Sequence, residues 1–378
     1  MKKYVVSFIA ALIISVMPVS AFALAESAAG ACIMNGVTGE VIFENNADAL
    51  LPMASTTKIM TLIVALLNSS PDDIVTVAEE ATKEEGSSAY IEAGAQITMR
   101  DLCYGLMLNS GNDAAVAIAY HIAGGKKEFA EMMTEKAREI GAVNTSFKNP
   151  NGLDEEGHYT TARDLAIITR YALKNELFRD IVSKRTYDAS YIRPDGSVTE
   201  LMYINHNRLL SEMEGCIGVK TGYTKTDGRC LVSACDRDGK IYIAVTLNDE
   251  NDWAEHKAMM DAAYSDSRWV TAVKAGDCVR HIVSNGGECE LISKTDFYVP
   301  VNGSANRDIE VLVNAPREIY TSLNAGEKVG ELEIYYGDEL IGKTDVVAKD
   351  DFYRTEEKAK VKNCFWFFAA TLLRKIFG

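Results

Sequence analysis

The pattern of apolar and polar residues divides the chain into two parts. Between residues 26 and 275, stretches that alternate apolar and polar side chains are interspersed with stretches in which apolar residues recur every three or four positions. This predicts a domain of mixed helices and strands. From about residue 276 to 352, six short β-like runs are separated by Gly, Asn, Asp and Pro, which is typical of a small all-β domain. No catalytic residue set is visible in this second part, so we interpret it as a spacer, a stalk or an interaction module.

Two hairpins are predicted in the first part. Alternation over residues 29–44 predicts one, with its turn at residues 36–39. The β-rich runs 229–235 and 240–247 flank the sequence Asp-Arg-Asp-Gly and predict the other. The segment 218–223 comes just before this second hairpin, and we expect it to be a strand beside it.

Helical periodicity predicts six helices, at residues 53–67, 98–108, 114–123, 128–140, 160–173 and 253–264. Thr98 is the predicted N-cap of the second helix, because its side chain can accept a hydrogen bond from a free backbone N–H. The segments 69–95 and 191–214 lack a clear period and are interpreted as irregular connections.

The polar segment 141–158 carries one cluster of titratable residues, Asp154, Glu155 and His158. Its abundance of Asn, Gly and charged residues favours a loop. We interpret the segment, including these three side chains, as a solvated loop.

The first predicted helix opens with Ser55-x-x-Lys58. Residues three apart lie on one helix face, so the Ser55 hydroxyl and the Lys58 amine can meet. A serine hydroxyl needs a base to become a nucleophile, and a lysine can be that base if burial or a nearby cation lowers its pKa. The free N–H groups of a helix start would also favour an oxyanion. The motif alone is equally explained by an N-cap and a solvated lysine.

Two further polar motifs stand at structural junctions. Ser110-Gly-Asn112 lies between two predicted helices, where a turn can place the hydroxyl and the amide side by side. Lys220-Thr-Gly222 lies on a predicted strand, where glycine lets another backbone lie close. Taken singly, the first motif is also explained by a helix cap and turn, and the second by the end of a strand.

Composition and residue spacing argue against several classes of function. The 378 residues carry 39 Lys and Arg against 54 Asp and Glu, a formal net charge of −15. This balance argues against a nucleic-acid partner. The histidines show no metal-ligand spacing, and neither a Walker loop nor G-x-G-x-x-G is present, so we expect no metal and no cofactor. The eight cysteines are scattered without a C-x-x-C pair and are interpreted mostly as buried thiols.

Both ends of the chain differ from the rest. Residues 1–25 combine Lys2 and Lys3 with an apolar run and a small-residue cleavage pattern, which predicts a secretory signal peptide. An uncleaved membrane anchor is the alternative. Residues 353–378 are basic and contain a ten-residue apolar run, too short to cross a bilayer. We interpret this tail as an amphipathic helix on an anionic membrane surface, or alternatively as a helix docked on the protein.

The order and context of the three polar motifs resemble those of the penicillin-recognising serine enzymes. The chain is most similar to the low-molecular-mass penicillin-binding proteins that are serine-type D-alanyl-D-alanine carboxypeptidases. The similarity includes Ser-Gly-Asn in place of Ser-Asp-Asn, the stretch 149–164 and the sequence Gly-Val-Lys-Thr-Gly-Tyr-Thr at 218–224. The resemblance implies an α/β (α+β) catalytic domain of the β-lactamase/transpeptidase type at residues 26–275, with helices around an antiparallel sheet. The all-β domain at 276–352 would follow it.

The resemblance also implies roles in acylation. Ser55 attacks the carbonyl of the penultimate D-alanine of a peptidoglycan stem peptide, and Lys58 accepts the serine proton. Burial and the nearby cation Lys220 keep Lys58 neutral. Ser110 and Asn112 complete a proton relay and orient the substrate amide.

On the strand motif, the resemblance implies that Lys220 and Thr221, beside Gly222, bind the terminal carboxylate. The backbone N–H groups of Ser55 and Tyr223 form the oxyanion hole. D-alanine is released, water hydrolyses the acyl-enzyme, and β-lactam antibiotics are expected inhibitors. Family members often carry His where this chain has Tyr223, which leaves open any role of that side chain but not of its backbone donor.

The resemblance implies an exported enzyme, attached to the outer face of the cytoplasmic membrane through its tail. Two other interpretations stay open. A class A β-lactamase would need a Glu-based deacylation motif, but Glu155 and Glu156 are followed four residues later by Tyr159 and Thr160 instead of Asn. A non-catalytic wall-binding scaffold would not need the three intact motifs.

Overall fold

A computed structural model describes residues 24–284, 287–303 and 309–353. The predicted signal peptide lies almost entirely outside these residues, and so does nearly all of the predicted tail. Of the helices within the described ranges, none has the length and apolar character needed to span a lipid bilayer.

The first part of the chain contains nine strands and eight α-helices among the described residues. The strands are β1 Gly30–Asn35, β2 Val41–Asn45, β3 Ile74–Thr76, β4 Gln96–Thr98, β5 Thr186–Ile192, β6 Val198–Ile204, β7 Cys216–Thr224, β8 Gly228–Arg237 and β9 Lys240–Leu247. The helices are α1 Lys58–Asn68, α2 Met99–Met107, α3 Asn112–Ala123, α4 Lys126–Glu139, α5 Ala162–Ala172, α6 Glu176–Ser183, α7 Leu209–Glu212 and α8 Asp252–Ser265, with 3-10 helices at Ala54–Thr57 and Glu79–Lys83.

A five-stranded antiparallel sheet, in the order β2-β1-β9-β8-β7, forms the centre of this part. Successive side chains of a strand point to opposite faces, and both faces of this sheet are covered. In β1, Cys32 and Met34 join the core formed with the helical cluster. Ala31 and Ile33 join a second core beneath α8. Helix α1 runs through the larger core, and every residue from Lys58 to Ala65 is buried.

The predicted hairpins and helices are confirmed with small changes of boundary. Thr98 caps α2 as predicted, because its hydroxyl oxygen accepts the N–H of Asp101 at 3.0 Å. The first helix differs in detail, since a 3-10 turn at Ala54–Thr57 precedes α1. Thr161 caps α5, because its side chain accepts the N–H of Asp164.

The interpretation of residues 191–214 as irregular is wrong. This segment contains β6, which pairs with β5 over seven residues in a second sheet of order β3-β4-β5-β6. Val198, Met202 and Ile204 on β6 are more than half exposed. Because apolar residues occupy the solvent face of this strand, its sequence lacks the alternation that marks a half-buried strand.

Several short elements were also not predicted. Segment 69–95 contains β3 and a 3-10 helix, both too short to produce a periodic signal. Helix α6, at Glu176–Ser183, buries only Phe178, Ile181 and Val182, so its apolar face is narrow.

The second part is all β, as predicted. Its strands are β10 Ser267–Val273, β11 Cys278–Ser284, β12 Gly287–Ser293, β13 Phe297–Asn302, β14 Ile309–Asn314, β15 Lys328–Tyr336 and β16 Glu339–Ala348. Five of them form a sheet of order β11-β12-β16-β15-β14, and β10 pairs with β13. β10 precedes residue 276, where the β-rich region was expected to begin, yet it pairs with a strand of that region.

Specific polar contacts join the two parts. The Asn35 side chain donates to the carbonyl of Pro300 at 3.1 Å, and the Tyr242 hydroxyl donates to the Asn302 side chain at 2.8 Å. Both contacts are buried, so each is protected from competition by water. The β-domain is thereby held against the end of the central sheet at which β1 ends and β9 begins.

Candidate active site

The 3-10 turn Ala54–Thr57, here called the nucleophile turn because it carries the predicted nucleophile, brings Ser55 within reach of Lys58 as predicted. Ser55 lies in the 3-10 helix Ala54–Thr57 that runs directly into α1, and Lys58 is the first residue of α1. Lys58 Nζ is 3.0 Å from Ser55 Oγ. This is hydrogen-bond distance, and it suits direct proton transfer between a nucleophile and its base.

Lys58 has no solvent exposure at all. Besides Ser55, its Nζ contacts Asn112 Oδ1 at 2.7 Å and the backbone carbonyl oxygen of Asn151 at 2.5 Å. Burial, and after it the charge of Lys220, holds the pKa of Lys58 well below its usual range. Both predicted causes therefore act in the predicted direction, toward the neutral amine that a proton acceptor needs.

The Ser110-Gly-Asn112 segment forms the turn between α2 and α3, as predicted. Ser110 adopts a left-handed backbone with φ of +57°, a conformation that is uncommon away from glycine and that occurs often at functional sites. Asn112 is the first residue of α3, and its Nδ2 donates to the carbonyl of Glu85 at 2.6 Å. This second bond orients the amide so that its oxygen faces Lys58.

Strand β7 carries Lys220, Thr221 and Gly222 beside the nucleophile turn. Lys220 is only 2% exposed, its Nζ donates to the carbonyl of Thr221 at 2.9 Å, and burial lowers its pKa to about 7. A Cβ at Gly222 would lie 3.1 Å from Ser55 N. The predicted close approach at this glycine is therefore confirmed, but the backbone that approaches it is the protein's own nucleophile turn.

Residues from all three motifs line one open cavity of about 290 Å³. Ser55, Ser110 and Thr221 share it with Tyr223, whose side chain is 65% exposed. All three sequence motifs therefore meet at one place, with the reactive hydroxyl accessible and the two lysine amines buried below it.

The same cavity contains residues that the sequence did not identify. His206, Arg229 and Trp253 line it. Asp252 holds Arg229 by an ion pair of 2.9 Å, and the Arg229 guanidinium lies 5.6 Å from the Trp253 ring. They come from three separate segments and form no local motif, so no sequence signal could have found them.

The interpretation of segment 141–158 as a solvated loop is wrong for His158. This side chain is 8% exposed, its Nε2 is 2.8 Å from Thr57 Oγ1, and burial lowers its pKa to about 4. The loop packs on the nucleophile turn at Gly152, where φ is +85° and a Cβ would lie 2.0 Å from the carbonyl oxygen of Ala54. Asp154 and Glu155 are exposed, as expected.

No group of three or more His, Cys, Asp or Glu in the described part of the chain is arranged to hold a metal ion. The chemistry of the cavity is that of a serine, a buried amine and backbone donors. Such a set fits acyl transfer.

Two protein-family models together match nearly all of the described residues. A model of the family described as D-alanyl-D-alanine carboxypeptidase, peptidase family S11, matches residues 17–251. A model of the C-terminal domain of penicillin-binding protein 5 matches residues 270–354. The two matches divide the chain into the same two parts as the fold.

Individual relatives agree with the family models. D-alanyl-D-alanine carboxypeptidase DacF of Bacillus subtilis is 32% identical over 342 residues, which cover 87% of this chain and 86% of DacF. The crystal structure of carboxypeptidase DacD from Francisella tularensis is 28% identical, with a TM-score of 0.61, over 87% of this chain and 94% of that one. The Streptomyces K15 DD-transpeptidase is 35% identical, with a TM-score of 0.60, over 63% of this chain and 97% of that one.

Proposed function

The chain belongs to the serine-type D-alanyl-D-alanine carboxypeptidase family, and on this premise we propose that it removes the terminal D-alanine from peptidoglycan stem pentapeptides through an acyl-enzyme on Ser55. The observation that carries the proposal is the position of Lys58 Nζ, fully buried and 3.0 Å from Ser55 Oγ. Burial lowers the pKa of an amine and so favours the neutral form that can act as a base, whereas a solvated lysine stays protonated at neutral pH.

In the proposed acylation, Lys58 takes the Ser55 proton as the oxygen attacks the penultimate carbonyl. The developing oxyanion is stabilised by the backbone N–H groups of Ser55 and Tyr223. The proton then passes from Lys58 to the leaving D-alanine nitrogen, with Ser110 and Asn112 as relay and orienting groups. The 2.7 Å contact between Lys58 Nζ and Asn112 Oδ1 supports this relay.

Lys220 and Thr221 bind the carboxylate of the leaving D-alanine in this proposal. Their place beside Gly222 and Ser55 supports the assignment, because the peptide end must lie alongside β7 for its carbonyl to reach the nucleophile. Charged Lys220 attracts the carboxylate and also opposes protonation of Lys58. β-Lactam antibiotics enter the same site and acylate Ser55.

Fast β-lactam hydrolysis is not expected. The two glutamates of the 149–158 loop, Glu155 and Glu156, line a different cavity, with Pro52, His158 and Asp227. Among the described residues that line the Ser55 cavity there is no glutamate. The lining of this cavity therefore does not supply the glutamate by which a class A β-lactamase deacylates.

Intact-mass spectrometry of the full-length chain with benzylpenicillin tests the proposal. A penicilloyl adduct that persists for minutes and is missing in Ser55→Ala is expected, together with release of D-alanine from a D-Ala-D-Ala peptide. Rapid drug turnover without an adduct would favour a β-lactamase. If the chain is not acylated and does not hydrolyse the drug, the wall-binding scaffold remains as the interpretation.

We also propose that residues 1–25 direct export and that the tail at 353–378 attaches the enzyme to the outer face of the cytoplasmic membrane. The support is the basic, aromatic composition of the tail within an acidic chain. Flotation of the full-length chain with anionic vesicles, but not with neutral vesicles, is expected. A chain ending at residue 352 should stay unbound in both, and equal binding of the two chains would contradict the anchor.

A further inference from the structure

The turn between β7 and β8 places the carboxyl group of Asp227 next to the nucleophile turn. Asp227 is 3% exposed, and its Oδ2 accepts the backbone N–H of Ala54 at 3.0 Å. Ala54 immediately precedes Ser55 and is itself completely buried. N–H groups at a helix start have no partner within the helix, so Asp227 supplies the partner that the turn lacks.

Ala54 needs such a partner because its backbone is unusual. Its φ is +47°, in the left-handed region that costs energy for residues other than glycine. On its other side, its carbonyl oxygen accepts the Thr57 hydroxyl at 2.8 Å. Asp227 and Thr57 thus fix both polar groups of Ala54, and the direction of the Ser55 side chain follows from them.

A second carboxyl group, that of Asp154, lines the same cavity as Asp227. A side-chain hydrogen bond to Asp154 is among the causes that raise the pKa of Asp227, and two ionised carboxylates cannot form such a bond. Thr224 joins the same arrangement, since its hydroxyl donates to Asp154 at 3.0 Å and its oxygen accepts the N–H of Asp227 at 2.9 Å. Burial, and after it the charge of Asp154, raises the pKa of Asp227 to about 6. Hydrogen bonds, with that of Thr226 the largest cause, lower the pKa of Asp154.

Below a pH of about 6, Asp227 therefore carries the proton and can donate it to Asp154, while its Oδ2 accepts from Ala54. Other titratable groups surround the pair. Glu155, Glu156 and His158 line the same cavity, and the charge of Lys58 acts on His158. On the β8 side, Asp249 and Asp252 act with Asp227 on the thiol of Cys230.

We propose that Asp227, with the proton it shares with Asp154, is a positioning residue that holds the Ala54 peptide and so aims Ser55 at Lys58. Loss of the shared proton places two negative charges against each other. The repulsion shifts Asp227, and with it the Ala54 peptide that its carboxylate still binds. This inference rests on the proposed role of Ser55 as nucleophile, and it adds a pH-sensitive support outside the three motifs.

The first test is the rate constant for acylation by benzylpenicillin, measured apart from the dissociation constant of the initial complex. Asp227→Ala removes the acceptor of the Ala54 N–H, and acylation should slow roughly 10–100-fold while the dissociation constant stays unchanged. Asp227→Asn keeps an acceptor for Ala54 and a donor for Asp154, so acylation at pH 5.5 should stay within about twofold of the wild-type rate.

The second test is the pH dependence of the same rate constant. Lys58 and Lys220 titrate in all variants, so their effects cancel in a ratio. The ratio of Asp227→Asn to wild type should rise as the pH passes through about 6, because only the wild-type pair loses its proton. Asp154→Asn, the matched control, also keeps one hydrogen bond at every pH and should follow Asp227→Asn.

A ratio that is flat from pH 5 to 8 would overturn the proposal. An Asp227→Ala variant that is acylated at the wild-type rate would overturn it as well. If Asp227→Ala fails to fold, the ratios for the two asparagine variants decide the question. If the wild type itself is never acylated at Ser55, the proposed function fails first, so the two failures are distinguishable.

Discussion

The lysines of the active site and those of the C-terminal sheet show how strongly burial changes one side chain. Lys58 and Lys220 are buried, and burial is the main cause that lowers the pKa of each, that of Lys220 to about 7. Lys328 and Lys343 are exposed on β15 and β16, and hydrogen bonds to acidic partners raise their pKa values. The same residue type is therefore shifted toward the neutral amine in one region and toward the cation in the other.

The difference shows that the partners of a lysine help to distinguish a functional site from a structural ion pair. The exposed ammonium groups of the C-terminal sheet lie within 2.9 Å of carboxylates, as in the 2.7 Å pair of Lys343 with Glu333. Water screens such pairs, and they contribute little to stability. In the active site, by contrast, the buried amines contact a hydroxyl, an amide and backbone carbonyls. A lysine without a carboxylate partner in a buried site is the better indication of catalysis.

Replacing the base should have the largest effect. Lys58→Met keeps most of the buried volume but removes the proton acceptor, so acylation by benzylpenicillin should slow by roughly 10²–10⁴-fold. Stopped-flow or mass-spectrometric acylation rates measure this. The melting temperature controls for folding, and a folded variant that retains a tenth of the wild-type rate would contradict the assignment of Lys58 as base.

A substitution that pushes β7 away from the Ser55 turn, but leaves every reactive side chain in place, should have the next largest effect. In Gly222→Ala, the new methyl group would lie 3.1 Å from both Ser55 N and the Cβ of Ala54, so β7 must move away from the nucleophile. A displacement of this kind can cost about 10²-fold in rate. Acylation kinetics and a circular-dichroism spectrum separate misplacement from misfolding, and an unchanged rate would show that the turn has room to move.

The two buried lysines should give the enzyme a bell-shaped pH profile. Acylation rises with pH as Lys58 becomes neutral, and it falls again as Lys220 loses its charge, near pH 7. Lys220→Gln removes the falling limb. It also removes the cation that opposes protonation of Lys58, so the rising limb should move to higher pH. Rates from pH 5 to 9 test both shifts, and a Lys220→Gln profile that keeps the falling limb would assign it to another group.

The smallest effect is expected in the C-terminal sheet. Lys343→Gln and Glu333→Gln break an exposed ion pair of 2.7 Å, and screened pairs of this kind contribute little. Neither variant should change the acylation rate or the melting temperature beyond experimental error. A clear loss of activity in either would mean that the second domain contributes to catalysis through this face.

Much of the fold was predictable because its signals are local. The β1–β2 hairpin, helix α1 and the β8–β9 hairpin follow from periods of two or about 3.6 residues and from turn residues, which do not depend on the rest of the chain. β6 escaped prediction because its apolar residues Val198 and Met202 face solvent. A sequence pattern records which residues are apolar but not which side of a sheet is covered.

The sequence by itself determined the reactive groups: the serine and lysine one helical turn apart, the Ser-Gly-Asn turn, and the Lys-Thr-Gly strand. Their spacing along the chain allows Ser55 and Lys58 to meet, and the resemblance to a family implies that the other motifs join them. Only the tertiary structure decided how these groups are tuned. Burial of Lys58 beside Lys220, and the carboxyl group of Asp227 beneath Ala54, are set by residues more than 100 positions apart. The physical reason is that desolvation and charge act through space, so a pKa depends on the packed surroundings and not on neighbours in sequence.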